Sequence, residues 1–186
     1  MNKKMHFTAA VLLFIGTALS GCGASAETLA KMEAEGSGMI RIGIINTKGE
    51  TIGLARLTEQ VDGVHIKIEA SKLSPGKHGF HVHEYGLCEG PDFKTAGAHL
   101  NPEGRQHGFL NSKGSHDGDL PNLEVGPEGT AKAEFVDNRM TLAKSKPNSL
   151  LKQGGTSLVI HEGADDYRTD PAGNSGARIA CGVIKQ

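Results

Sequence analysis

Two histidines, His81 and His83, sit two residues apart in the strand-like run Gly79-Phe80-His81-Val82-His83-Glu84. Side chains at i and i+2 of a strand share a face, so two imidazoles can converge on one metal ion from rigid backbone. Phe80 and Val82 then point to the core. His78 shares their parity and reads as a structural residue hydrogen-bonded to a loop. His99, His107, His116 and Asp119 follow in a stretch rich in Gly, Pro and Asn, the kind of chain that wraps an ion. Three nitrogens and a carboxylate oxygen make a closed tetrahedral set, which suits structural zinc. His161 ends a distant apolar run, Ser157-Leu158-Val159-Ile160-His161, and alone it fits a strand cap as well as a ligand. Several imidazoles held on strands in a mostly planar arrangement suit copper with an open position for a small ligand. His65 opposes Ile66 on an amphipathic run and is expected to be solvated.

The elements that must hold these groups show period-two alternation. Ile40, Ile42 and Ile44 alternate with Met39, Arg41 and Gly43; Val64, Ile66 and Ile68 alternate with His65, Lys67 and Glu69. Similar runs occur at 52–57, 78–83, 120–125, 131–136, 157–161 and 179–184, mostly separated by Gly, Pro, Asn or Asp. Eight short strands predict an all-β antiparallel sandwich or flattened barrel. Two gaps, 85–118 and 162–177, are too long for hairpins and hold or adjoin most of the histidines. Long connections in a small domain tend to carry function.

Composition agrees. Aromatic content is 4%, tryptophan is absent and there are 26 glycines, a mixture that favours turns and strands over a helical bundle. A formal charge of -1 gives no basic field for nucleic acid. At the N-terminus, Lys3 and Lys4 precede an apolar run and then small residues before Cys22, the pattern of a secretory signal over 1–21. Leu19-Ser20-Gly21-Cys22 resembles the lipobox of bacterial lipoproteins, which implies a lipidated Cys22 anchored in a membrane; a plain secretory leader is the alternative. Residues 22–38 read as that cysteine and a flexible tether, and 39–186 as one domain. Removing 1–21 takes away two lysines and no acid, so the formal charge goes from -1 to -3. With Cys22 modified, Cys88 and Cys181 remain either as a pair in an oxidising compartment or as buried free thiols.

Five runs carry a family resemblance. They are 79–84, Ala96-Gly97-Ala98-His99-Leu100-Asn101-Pro102, His116-Asp117-Gly118-Asp119-Leu120, Leu158-Val159-Ile160-His161-Glu162, and 173–183 with Arg178 and Cys181. In that order they resemble the signature segments of copper/zinc superoxide dismutases, a family whose fold is itself an example of β-sandwich architecture. The resemblance covers essentially 39–186 and implies an eight-stranded Greek-key barrel with two long functional loops. It implies copper on His81, His83, His99 and His161, and zinc on His99, His107, His116 and Asp119, with His99 bridging. Asp165 matches the carboxylate joining a copper-side histidine, His81, to a zinc-side one, His107. Arg178 matches the arginine beside the open copper position, and Cys88 with Cys181 the family disulfide.

The implied reaction is dismutation of superoxide to oxygen and hydrogen peroxide, with copper alternately reduced and oxidised and His99 taking and returning a proton. Against the eukaryotic pattern, the loop with Cys88 carries extra residues, 89–95, and the later loop is short and lacks the steering lysine, with Arg168 a candidate substitute. Monomer and bacterial-type dimer both remain open. The rival reading is a non-catalytic envelope protein that stores or delivers copper or zinc.

Overall fold

The computed structural model describes residues 38–186; the expected leader, Cys22 and all but the last residue of the tether lie outside the described residues. The described chain forms β1 (Ile40–Asn46), β2 (Thr51–Gln60), β3 (Gly63–Ala70), β4 (Gly76–His78), β5 (Phe80–His83), β6 (Leu123–Val125), β7 (Ala131–Asp137), β8 (Thr156–His161) and β9 (Arg178–Ile184). Seven strands make one antiparallel sheet in the order β5-β8-β9-β1-β2-β3-β7, and β4 pairs with β6. β6 turns into β7 through the Gly126 N–H, which donates to Thr130 O at 2.9 Å. β4 runs on into β5, so the sheet curls round towards closure. The result is the flattened all-β barrel expected.

Nine segments replace the eight runs because 78–83 is broken at Gly79. There the Gly79 N–H donates to Gly163 O (2.8 Å), and Gly79 O accepts from the His161 N–H (2.8 Å). A Cβ on Gly79 would lie 2.7 Å from Ser175 Cβ, so only glycine lets the later loop approach. The alternation read from sequence sets the core: Ile42, Ile44, Leu57, Ile66, Ile68, Phe80, Val82 and Leu158 are all buried. Each contributes roughly 1.5–3 kcal/mol by leaving water. A third long connection, 138–155, carries the chain from β7 to β8, where only two were expected.

The free edge of β5 is what organises the site. On one side β5 pairs with β8, placing His81 opposite Val159 and His83 opposite Ser157. Its other side is bonded by loop chain. The Val82 N–H donates to Gly118 O (2.8 Å) and Val82 O accepts from the Leu100 N–H (2.8 Å). These bonds set His99 beside His83 and Asp119 beside His81 as isolated bridges. Across β8 and β9, His161 faces Arg178.

Candidate metal centre

Each imidazole is held by a partner on one nitrogen, which fixes where the other nitrogen points. His81 Nε2–H donates to Asp165 Oδ2 (2.9 Å), His83 Nδ1–H to Gly97 O (2.9 Å) and His161 Nδ1–H to Gly176 O (3.2 Å). The opposite atoms, His81 Nδ1, His83 Nε2 and His161 Nε2, are buried with no hydrogen-bond partner, as is His99 Nε2. These four residues offer ligand atoms within 4.8 Å of one another. Burial pushes His81 down to about 3 and His161 to about 4, and pushes His83 and His99 down as well. The imidazoles are therefore neutral at ordinary pH, the form that binds a metal. Four buried nitrogen lone pairs facing one space, with nothing else to satisfy them, fit a metal that takes imidazole ligands.

The second cluster lies on the other side of His99. Its Nδ1 is 2.8 Å from Asp119 Oδ1, His107 Nδ1 is 3.0 Å from the same oxygen and His116 Nδ1 is 3.2 Å from it. His116 Nδ1 and His99 Nδ1 are 3.3 Å apart. Donors roughly 3.3 Å apart are what a tetrahedral ion with bonds of about 2.0–2.1 Å requires. A 4.8 Å grouping also joins His81 to His99, His107 and Asp119. His81 turns its Nε2 to Asp165 and its Nδ1 is the orphan nitrogen of the first set, so His116 completes the closed set. Burial alone would raise the Asp119 carboxyl, yet hydrogen bonds from His107, His116 and His99 hold it far below the usual carboxylate range. Burial likewise opposes charge on His107, but bonds to Asp119 and Asp165 lift it to about 9. Such a field favours a cation.

The supporting contacts tie the two clusters to each other and to the loops. Asp165 accepts from His81 Nε2–H with Oδ2 and from His107 Nε2–H with Oδ1 (2.9 Å), so it spans both clusters. It is locked by Asn122, whose Nδ2–H donates to Asp165 O (2.9 Å) while the Asp165 N–H donates to Asn122 Oδ1 (2.8 Å). Gly173, at φ 61, passes so close that a Cβ there would overlap Asp165 Oδ1. Cys88 and Cys181 form a disulfide. Arg178 donates from Nη1 to Phe93 O (2.8 Å) and from Nη2 to Gly97 O (2.7 Å), the carbonyl that also holds His83. Phe93 packs against Val159 and Cys181, tying the arginine to the disulfide. His78 is structural, with Nδ1 2.7 Å from His161 O and Nε2 2.8 Å from Ser74 O.

A cleft of about 580 Å³ opens onto His83, His99, His161 and Arg178. Two cations that the sequence reading missed also line it, Arg105 and Lys152. Arg105 pairs with Glu103, whereas Lys152 has no ion pair among the described residues. Arg168 is exposed, does not line this cleft, and among the described residues its side chain reaches Leu110 O at 3.5 Å. His65 departs from expectation: its side chain is only 12% exposed, held between Asp62 (2.7 Å) and Glu134 (3.3 Å) on the outer face of β3 and β7. No local signal marked Lys152, because the connection that carries it approaches the site only in the folded chain.

Comparison with known proteins places this architecture. The family model described as "Copper/zinc superoxide dismutase (SODC)" matches residues 51–184. The chain is 52% identical to "Superoxide dismutase [Cu-Zn] 1" of Aquifex aeolicus over 143 residues, 76% of this chain and 85% of that one. Among solved structures, a SOD-like protein from Bacillus subtilis is similar at TM-score 0.75 and 41% identity, covering 77% of this chain and 97% of that chain. The copper/zinc superoxide dismutase from Brucella abortus is similar at TM-score 0.64 and 33% identity, covering 78% and 99%.

Proposed function

The chain belongs to the copper/zinc superoxide dismutase family, and from that premise we propose that it dismutes superoxide outside the cytoplasm while tethered to a membrane through Cys22. In this reading copper is held by His81, His83, His99 and His161, and zinc by His99, His107, His116 and Asp119. The observation that carries it is the pairing of four orphaned imidazole nitrogens with a second, closed donor set through His99.

Two superoxide ions and two protons become oxygen and hydrogen peroxide. Copper, when bound, supplies the one-electron exchange. The chain's own residues do the rest. His99 Nε2, whose lone pair faces the copper set, would give up its hold on copper to take one proton in the first half of the cycle, and would release that proton in the second. Zinc at His99 Nδ1 would leave Nε2 as the only nitrogen where that proton can sit. Asp165 keeps His81 in the tautomer that turns Nδ1 inward and orients His107 for the zinc set. Arg178 uses one N–H of each terminal nitrogen on loop carbonyls, leaving others to receive an anion from the cleft. Lys152 adds unpaired positive charge at the mouth, offsetting Glu84 and Asp170 on the same wall.

The test is superoxide decay on protein loaded stepwise with metal. Activity should track bound copper, zinc alone should give none, and His161→Ala should abolish turnover while zinc stays bound. A fully loaded wild type that leaves superoxide decay unchanged would instead make the protein a store or carrier of metal. For the anchor, Cys22→Ser should move activity from the membrane fraction to the soluble exported fraction; unchanged partition rejects lipidation.

A further inference from the structure

Arg139 follows β7 by two residues and lies beneath the turn that carries two residues of the closed set. All five of its guanidinium N–H groups are used. Nε–H donates to both Asp137 oxygens (3.2 and 3.1 Å), and Nη2 donates to Asp137 Oδ2 and to Asp119 O (2.6 Å). Nη1 donates to Ser115 Oγ (2.5 Å) and to His116 O (2.9 Å). The Phe109 ring covers one face of the guanidinium, its centroid 5.1 Å from the central carbon. Phe109 in turn packs on Tyr167 at 5.5 Å, and the Tyr167 N–H donates to Asp165 Oδ1 (2.6 Å).

We propose that Arg139 is the positioning residue of the zinc half of the centre: by clamping the carbonyls of His116 and Asp119 in one planar fork, it sets their donor atoms at tetrahedral spacing. The proposal rests on the assignment of zinc to His99, His107, His116 and Asp119. Arg139 touches neither metal nor substrate in this account and acts through the turn 116–119. A flat, rigid fork fixes the separation of two carbonyls in a way that a point charge on a flexible stem cannot. Gly118 in the middle of the turn is bonded to Val82 of β5 (2.8 Å) and to Leu100 (2.9 Å), but the one backbone bond across the turn is long, from the Asp119 N–H to His116 O at 3.3 Å, so the two flanking carbonyls are what Arg139 is left to fix. The Asp119 carboxylate is fixed in the same unit, since its Oδ2 accepts the His116 N–H (3.0 Å) and the Gly108 N–H (2.9 Å). Asp137, 7% exposed, neutralises the guanidinium and moors it to the end of β7. Zinc retention is thereby coupled to the end of β7 as well as to β5, where Gly118 is bonded to Val82. Geometry matters here because copper(II) outcompetes zinc at most nitrogen sites unless the site enforces a tetrahedron.

The experiment compares full-length wild type with Arg139→Met, Arg139→Lys and a core control, Leu57→Ala. Zinc affinity is read by chelator competition, and site shape by the visible spectrum of cobalt(II) placed in the zinc set. Arg139→Met should weaken zinc binding by about 10–100-fold, the range found when supporting partners of metal ligands are lost. Arg139→Lys should fall between it and wild type, and copper binding at the other set should hardly change. The cobalt spectrum should shift in Arg139→Met and stay unchanged in Leu57→Ala. Should Arg139→Met fail to fold, the Lys variant carries the comparison. Zinc binding by Arg139→Met within about twofold of wild type, or equal weakening in Leu57→Ala, would overturn the proposal. Failure of the zinc assignment itself looks different: His116→Ala would then bind zinc as tightly as wild type.

Discussion

His99 is the side chain on which both ligand sets depend, with Nε2 in one and Nδ1 in the other. Its sequence surroundings did not single it out from His107 or His116; the residues alone offered the strand parity of His81 and His83 and a closed zinc-type set of His99, His107, His116 and Asp119. The family resemblance added the bridging role of His99, the copper role of His161, and Asp165 and Arg178; in the structure Asp165 hydrogen-bonds His81 and His107, and Arg178 lies across from His161. Lys152 and Arg139 were not legible, because both come from the 138–155 connection and its threshold. Nothing local to that connection records which part of the barrel it crosses. Steering of an anion by fixed positive charge is a behaviour for which superoxide dismutases are themselves the standard example. In this chain it should rest on Arg178 and Lys152. Arg178→Ala is expected to slow superoxide consumption on the order of tenfold and to flatten its dependence on ionic strength. Lys152→Glu should also lower the rate, with the loss shrinking as salt rises. A Lys152→Glu rate equal to wild type at low salt would remove that residue from the account.

At the scale of elements, the alternating runs became strands almost where expected, and the departures have physical causes. The 78–83 run divides because Gly79 must admit Gly163 and Ser175. The loop residues reach the site because the edge of β5 opposite β8 still offers backbone donors and acceptors, which chain around Leu100 and Gly118 satisfies. Open edges demand partners, and here the partner brings His99 and Asp119 of the candidate centre with it. The disulfide spans 93 residues and fastens the loop after β5 to β9, close to Arg178. His65 shows what period-two reasoning leaves out. Alternation put it on the outer face, but cross-strand neighbours determine whether that face is bare or ion-paired. Hydrogen bonds to Asp62 and Glu134 raise the His65 pKa above its ordinary value of 6.5. A group held more basic in the folded state contributes stability fully below its unfolded value and loses it as pH climbs through the folded one. The melting-temperature gap between wild type and His65→Gln should therefore be widest near about pH 5.5 and nearly closed by about pH 9. A gap that grows with pH would reverse the assignment of charge.

Over the whole molecule, the barrel strands supply rigid walls together with His81, His83, His161 and Arg178, and the long connections bring His99, His107, His116, Asp119 and Asp165 to them. Fold class was readable because strand alternation and turn residues agree along the described chain. The location of the centre was readable in outline, because most of the histidines lie in or beside two of the long gaps. Its division into an open set and a closed set was expected from the residue types, and the structure gives it distances: 2.8, 3.0 and 3.2 Å around Asp119 Oδ1, against four nitrogens left without partners. The central claim is that these two sets share the imidazole of His99. Loading copper(II) into both sets and recording electron paramagnetic resonance at low temperature tests it most directly. Two copper ions joined by one imidazolate couple, so the spectrum of isolated copper should largely disappear on cooling. Full signal from two independent copper ions, at confirmed double occupancy, would contradict a shared His99.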